Sequence, residues 1–152
     1  MSNITVRQAV YADLEVAATL LDLHRTVQGQ ASDLPASSAF LRARFDHGES
    51  VIFLALGGVE PMGFAQLYPS YSSTSLARVF VLNDLFVVAA GRRLGVATKL
   101  LAAVEEYAWS HGASRVTLNV TRDNLAGQAL YEASGWTRDA QFHMYHRFPG
   151  AH

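Results

Sequence analysis

Chemistry in this chain concentrates in one turn, Gly91-Arg92-Arg93-Leu94-Gly95-Val96-Ala97-Thr98-Lys99, which follows a run of β-forming residues and opens a helical pattern. Backbone N–H groups at a helix start, flanked by two arginines, are disposed to hold an anion. Small residues at 95 and 97 let a phosphate approach the main chain, and the helix dipole favours its charge. The two commonest phosphate loops are excluded. The residue five places after Gly91 is Val96, which breaks Gly-x-x-x-x-Gly-Lys-Ser/Thr, and no Gly-x-Gly-x-x-Gly is present.

Two further positions carry chemistry. Asp84 is the only acidic side chain in the apolar run Arg78 to Val88, where its neighbours disfavour the charged form. Its readings are a proton acceptor, an anchor for a cationic ligand, or a buried residue that only bonds backbone amides. Tyr131 follows Asn124 by seven residues, about two helical turns, so in a helix the two share a face. Other constellations fail. His143 and His146 are three apart, which on a strand sends them to opposite faces and argues against a metal pair. Ser134 sits in no Gly-x-Ser-x-Gly and has no evident relay, so a serine hydrolase is unsupported.

Composition bounds the rest. The 152 residues, half of them hydrophobic, match one domain spanning 1–152, large enough to bury a core without disulfides. No cysteine is present, which removes thiolate metal sites and a cysteine nucleophile and fits a reducing, cytoplasmic setting. Twelve basic against thirteen acidic side chains argue against affinity won by neutralising nucleic-acid phosphates. Arg7, Asp13 and Glu15 interrupt the N-terminus where a secretory signal needs an unbroken apolar stretch, and no later run reaches membrane-spanning length.

The elements that position these residues follow from periodicity. Ile4 to Arg7 alternates as a strand, then Leu14, Ala17, Ala18, Leu21 and Val27 recur at helical spacing. The polar stretch Gln28 to Ser38 predicts a loop, and Ser37 to Phe45 a second helix. Val51 to Leu56 and Met62 to Tyr68 flank Gly57-Gly58 as a hairpin. Pro69 to Ser75 reads as a polar loop, Arg78 to Val88 as a buried strand, and Val96 to a stop at Gly112 as an amphipathic helix. Arg115 to Val120 is a strand, Asn124 caps a helix through Ala133, and Gln141 to Phe148 closes the chain as a strand. The strand before the turn, its helix and the strand at Arg115 form a right-handed crossover, so those two strands are expected to be parallel neighbours. A ligand belongs at their C-terminal ends. Gln141 to Phe148 carries aromatic or imidazole groups on both faces, more than a solvated edge shows, and predicts a homodimer through that strand.

Arg92, Gly95 and Ala97 fill Arg-x-x-Gly-x-Gly/Ala after Leu85-Phe86-Val87. Downstream stand Leu118-Asn119-Val120, Asn124, Ala126, Ala129, Leu130-Tyr131 and Gly135-Trp136. On these two blocks, in this order, the sequence resembles the GNAT superfamily of N-acetyltransferases. The stretches Gly63 to Tyr71 and Leu82 to Leu85 resemble a subgroup that includes fungal enzymes acting on histones, polyamines or other small amines. Polyamine acetyltransferases of the superfamily have a glutamate where this chain has Asn83.

The resemblance implies an α/β fold with a mixed, splayed central sheet flanked by helices. It also implies transfer of an acetyl group from acetyl-CoA to a primary amine by direct attack. The backbones of Leu85, Phe86 and Val87 would bond the pantetheine arm and hold the developing oxyanion. The segment Arg92, Arg93, Leu94, Gly95, Val96, Ala97 and Thr98 would bind the pyrophosphate, and Asn124 would line the cofactor channel. Tyr131 would donate a proton to the leaving thiolate, with Asp84 the candidate base. Gln66, Tyr68, Asn83 and Asp84 are the candidate acceptor-binding residues, with Tyr71 beside them. The region Leu23 to Asp33, including His24 and Arg25, is a candidate cover for that site without a diagnostic residue. A small cationic amine is the expected acceptor. The alternatives are a protein or peptide amine, and a non-catalytic acyl-CoA-binding sensor on the same fold.

Overall fold

Continuous buried runs in the central strands, covered on both faces, build a five-stranded sheet in the computed structural model, which describes residues 3–150. In chain order its strands are β1 (Ile4–Gln8), β2 (Val51–Gly57), β3 (Glu60–Ser72), β4 (Ala77–Val87) and β5 (Ala113–Thr117). They also lie side by side in that order. The first four are antiparallel neighbours, and β5 joins β4 in parallel, as the crossover through α3 (Val96–Ser110) requires. Helices α1 (Leu14–Val27) and α2 (Leu34–Asp46) separate β1 from β2, and α4 (Leu125–Ala133) follows β5. The chain falls into two compact units, one up to Asn119 and one from Val120 onward.

Each face of the sheet in the first unit has its own core. On one, Ile52, Leu54 and Phe64 pack with Leu14, Ala17, Ala18, Leu20 and Leu21 of α1 and Leu41 of α2. On the other, the Tyr107 ring of α3 lies edge-on between Phe53 and Phe80, with ring centroids 5.6 Å apart in both pairs. Leu100, Val104 and Ala108 of the same helix are fully buried.

A bulge in β4 changes which face its residues address. Gln66 pairs with Asp84 and Leu67 with Leu82, so Asn83 is the extra residue. Phe80 therefore meets Tyr107 on the α3 face, whereas Phe86, of the same parity, meets His24 and Phe64 on the α1 face. Asp84 lands on the α1 face with Gln66. The β3 and β4 backbones come close beside the bulge, since a Cβ on Gly63 would lie 2.4 Å from the Phe86 carbonyl oxygen. Only glycine fits there.

Several expectations need correction. The stretch Pro69 to Ser72 is not a loop, because β3 continues through it paired with β4 as far as Ser72 and Ala77. Helix α2 starts at Leu34, earlier than the expected Ser37. Asp33 accepts from the Ala36 amide and Pro35 occupies the first turn, both ordinary start signals. In α1 it is Leu20, not Val27, that completes the buried stripe, and Val27 is exposed. Strand β5 ends at Thr117, leaving Leu118 to Val120 outside it. The expected strand Gln141 to Phe148 does not form. The Gln141 and Phe142 amides instead turn onto the Asp139 carboxylate, and Phe142, Met144, Tyr145 and Phe148 are exposed. Alternation alone does not make a strand whose backbone groups find no neighbouring edge.

Candidate active site

The turn before α3 forms a cavity with the features of an anion site. Gly95 is the residue before the helix, at φ +75°, no side chain caps the first turn, and the amides of Val96, Ala97 and Thr98 have no hydrogen-bond partner among the described residues. Arg93, at φ 64°, is one of two non-glycine residues with positive φ among those described, a conformation that costs free energy and marks a shaped loop. Val87, Gly91, Arg92, Arg93, Gly95, Val96, Ala97 and Thr98 line a cavity of about 250 Å³. Both arginines are exposed and form no ion pair among the described residues. Leu94 is partly exposed and stands outside the lining. Lys99 is committed elsewhere, donating from Nζ to the Ile4 carbonyl at 3.1 Å.

Leading into that pocket is a free backbone edge. Pairing of β4 with β5 ends at Val81 and Thr117, so from Leu82 to Val87 that edge of β4 has no strand partner among the described residues. The amides and carbonyls of Leu85, Phe86 and Val87 belong to this open segment, and Val87 itself lines the cavity.

On the α1 face lies a polar chain within apolar surroundings. Ser50 Oγ donates to Gln66 Oε1 at 2.6 Å, and Gln66 Nε2 donates to Asp84 Oδ2 at 2.7 Å. Asn83 Nδ2 donates to the same oxygen at 3.0 Å. The other carboxylate oxygen, Oδ1, faces His24 Nε2 at 3.6 Å. Since a carboxylate can only accept, the amide of Gln66 is fixed in orientation, and with it the Ser50 hydroxyl. The His24 ring tilts against Phe86 with centroids 5.3 Å apart and stands edge-on to Phe64 at 6.1 Å. Its Nδ1 is buried without a protein partner. Burial pulls the imidazole below its ordinary pKa, and the nearby Asp84 charge opposes that in part. Tyr68 is pushed up to about 12 by burial and by the Asp84 charge, with Arg44 acting the other way.

The structure thus brings Gln66, Asn83 and Asp84 into one hydrogen-bonded group with Tyr68 in its field. Tyr71 stands apart, with its hydroxyl accepting from Arg78 at 2.8 Å and its ring under that guanidinium. The sequence gives no sign of Ser50 and places His24 only within a segment covering the acceptor site, not against Asp84. A signal for His24 existed, three residues after Leu21 on the buried stripe of α1.

The second unit holds the remaining candidates. Asn124 Oδ1 accepts from the Gly127 amide and caps α4, giving it a structural duty within its own helix. The half-buried Tyr131 ring lies 6.0 Å from that of Trp136, whose amide donates to the Tyr131 carbonyl. Burial raises the Tyr131 phenol above its ordinary pKa, which keeps it in the proton-donating form at neutral pH while making it a weaker acid.

A mixed sheet opened along half of one strand, ending at a helix start without a side-chain cap and beside two exposed arginines, has the shape and charge that suit an extended ligand carrying phosphate. The acetyltransferase (GNAT) family model matches residues 17–136, and the chain belongs to that family. It is 42% identical over 142 residues to the uncharacterized N-acetyltransferase YhfO of Bacillus subtilis strain 168, covering 93% of this chain and 95% of the relative. Among solved structures it is similar to a probable acetyltransferase, with TM-score 0.90 and 37% identity over 97% of this chain and 99% of the other. It also shares its fold with the aminoglycoside N-acetyltransferase AAC(6')-Iy solved in complex with CoA, at TM-score 0.80 and 21% identity, over 97% and 96% of the two chains.

Proposed function

We propose that this protein transfers the acetyl group of acetyl-CoA to the primary amine of a small cationic acceptor, by direct attack and without a covalent enzyme intermediate. The observation that carries the reading is the open edge of β4 from Leu82 to Val87, which runs into the anion cavity while Asp84 of the same strand addresses the opposite, α1 face.

The residues fit such a donor. The open amides of Val96, Ala97 and Thr98 with Arg92 and Arg93 suit a pyrophosphate, and the unpaired edge at Leu85 to Val87 suits the amide groups of a pantetheine arm. In this reading a backbone amide of that edge stabilises the oxyanion that develops as the amine adds. In this reading Asn124 lines the cofactor channel with its free amide group. Tyr131 protonates the departing thiolate, and Asp84 draws in the acceptor's ammonium group. One ammonium proton leaves to solvent before attack, and the second balances the one given to sulfur. The site is expected to work in the cytoplasm. The exposed Phe142, Met144, Tyr145 and Phe148 support a homodimer through the C-terminal segment, which light scattering tests against the 16.6 kDa monomer.

Thermal melting with acetyl-CoA, followed by release of free CoA across a panel of amines, tests the function. A melting temperature raised by acetyl-CoA and turnover with small cationic amines are expected. No shift at millimolar acetyl-CoA would reject the donor.

A further inference from the structure

Three side chains face the Asp84 carboxylate, and only one of them can change its charge. Gln66 and Asn83 are neutral amides on Oδ2, whereas His24 faces Oδ1. At 3.6 Å the His24 contact is longer than a hydrogen bond. A neutral imidazole at that distance therefore holds the carboxylate only weakly, but a protonated one places a full unit charge beside it. Both side chains are mostly buried, 13% and 9% exposed, so solvent screens the pair poorly.

We infer that His24 sets the charge that this site presents to an acceptor: neutral, it leaves the Asp84 charge to an ammonium group, and protonated, it cancels that charge. His24 is then a positioning residue acting through Asp84, and it selects for cationic amines above its own titration. The inference rests on the acetyltransfer reading above.

The surroundings make His24 the group that switches. From β4 it meets Asp84, with Phe86 uncharged beside it. From β3 the titratable group in the same field is Tyr68, pushed up to about 12 and so uncharged throughout the neutral range. From α2, Arg44 acts on Tyr68 and pairs with Glu49, and its charge is permanent. On α1 itself, Asp22 is held by Ser32, Ser37 and the Asp33 amide, with Arg25 3.8 Å away. The buried, unpartnered Nδ1 fits an imidazole kept neutral, because the added proton of the charged ring would be a donor with nothing to receive it.

Acceptor KM measured against pH, between about 5 and 8, a window that reaches below the ordinary imidazole value because burial lowers the His24 titration, tests this in the wild type, His24→Gln and His24→Phe. For an alkyl ammonium acceptor the wild-type KM should climb by up to tenfold for each pH unit below the His24 titration, while the acetyl-CoA KM stays level. In His24→Gln the climb should vanish, and an arylamine that is uncharged in this range should show none in any protein. A His24→Gln profile that keeps the wild-type climb and midpoint would overturn the inference and leave the enzyme reading intact. Wild-type protein that neither binds acetyl-CoA nor releases CoA with any amine would overturn both. NMR titration reads the pair without turnover, with the His24 signal assigned by its loss in the variants. Asp84→Asn should move that titration to lower pH, and an unmoved midpoint would count against the coupling.

Discussion

The cavity before α3 and the polar network on the α1 face, proposed for the anion and for the acceptor, sit at the two sides of one strand and are built from opposite materials. The first is main chain, with open amides at 96, 97 and 98, a left-handed glycine before them and two exposed arginines over about ten consecutive residues. The second is side chain, with Ser50 from just before β2, Gln66 from β3, Asn83 and Asp84 from β4 and His24 from α1, spread over some sixty residues. A backbone site is set by where a chain turns and tolerates changes in its side chains. A buried polar network depends on every member, because one lost partner strands the others in low dielectric.

Substitutions can separate the two. The largest effect is expected from neither, but from the tyrosine of the second unit. Tyr131→Phe keeps the ring against Trp136 and removes only the proton, so turnover should fall by ~10²–10⁴-fold with both KM values nearly unchanged. Steady-state kinetics on the wild type and this variant side by side checks it, and a fall below about threefold would dismiss a positioned acid. Next comes the network. Asp84→Asn should cut kcat/KM for a cationic acceptor by roughly 100-fold, the scale for losing one partner of a buried charged contact, while acetyl-CoA affinity measured by calorimetry holds. If acetyl-CoA affinity fell as far as acceptor efficiency, the two sides of β4 would not be separate sites.

The same contrast explains what could be read in advance. The turn was legible because Arg92, Gly95 and Ala97 are local, and a helix start declares itself in neighbouring residues. The cap at Asn124 and the parallel pairing of β4 with β5 were legible for the same reason, as short patterns with a defined geometry. The network was not. Asp84 stood out as an acid among apolar residues, but its face depended on the bulge at Asn83, which simple alternation does not predict. Ser50 gave no signal, since it follows a polar loop and becomes a partner only when β2 and β3 align. The C-terminal segment misled in the other direction, since its alternation is real while the edge needed to turn it into a strand is not encoded locally.

A smaller effect is expected from the arginines. Arg92 and Arg93 are exposed, so their attraction for phosphate would be screened, and in the proposed reading the open amides would hold the anion without them. The double change to glutamine should weaken acetyl-CoA binding by roughly 5- to 30-fold at low salt, if each charge contributes up to about 1 kcal/mol. The loss should shrink as salt is raised, and acceptor KM should not move. A loss that does not respond to salt would mean that the arginines shape the loop and do not act by charge.

The smallest change tests the backbone itself. At Gly95 an added Cβ would meet nothing within 4 Å, so the only penalty of Gly95→Ala in the free protein is the left-handed backbone at φ +75°. That should cost about 1–2 kcal/mol and lower the melting temperature by a few degrees in a chain of this length. If a phosphate sits against these amides, the new methyl group intrudes on the room it needs, and acetyl-CoA affinity should fall in addition to the stability loss. Melting curves with and without acetyl-CoA separate the two effects, because the strain acts on both curves and the obstruction acts only on the shift between them. A shift as large as that of the wild type would mean that the anion is held beyond Gly95, by the amides of Ala97 and Thr98, and the backbone site would be one residue further into the helix than its glycine suggests.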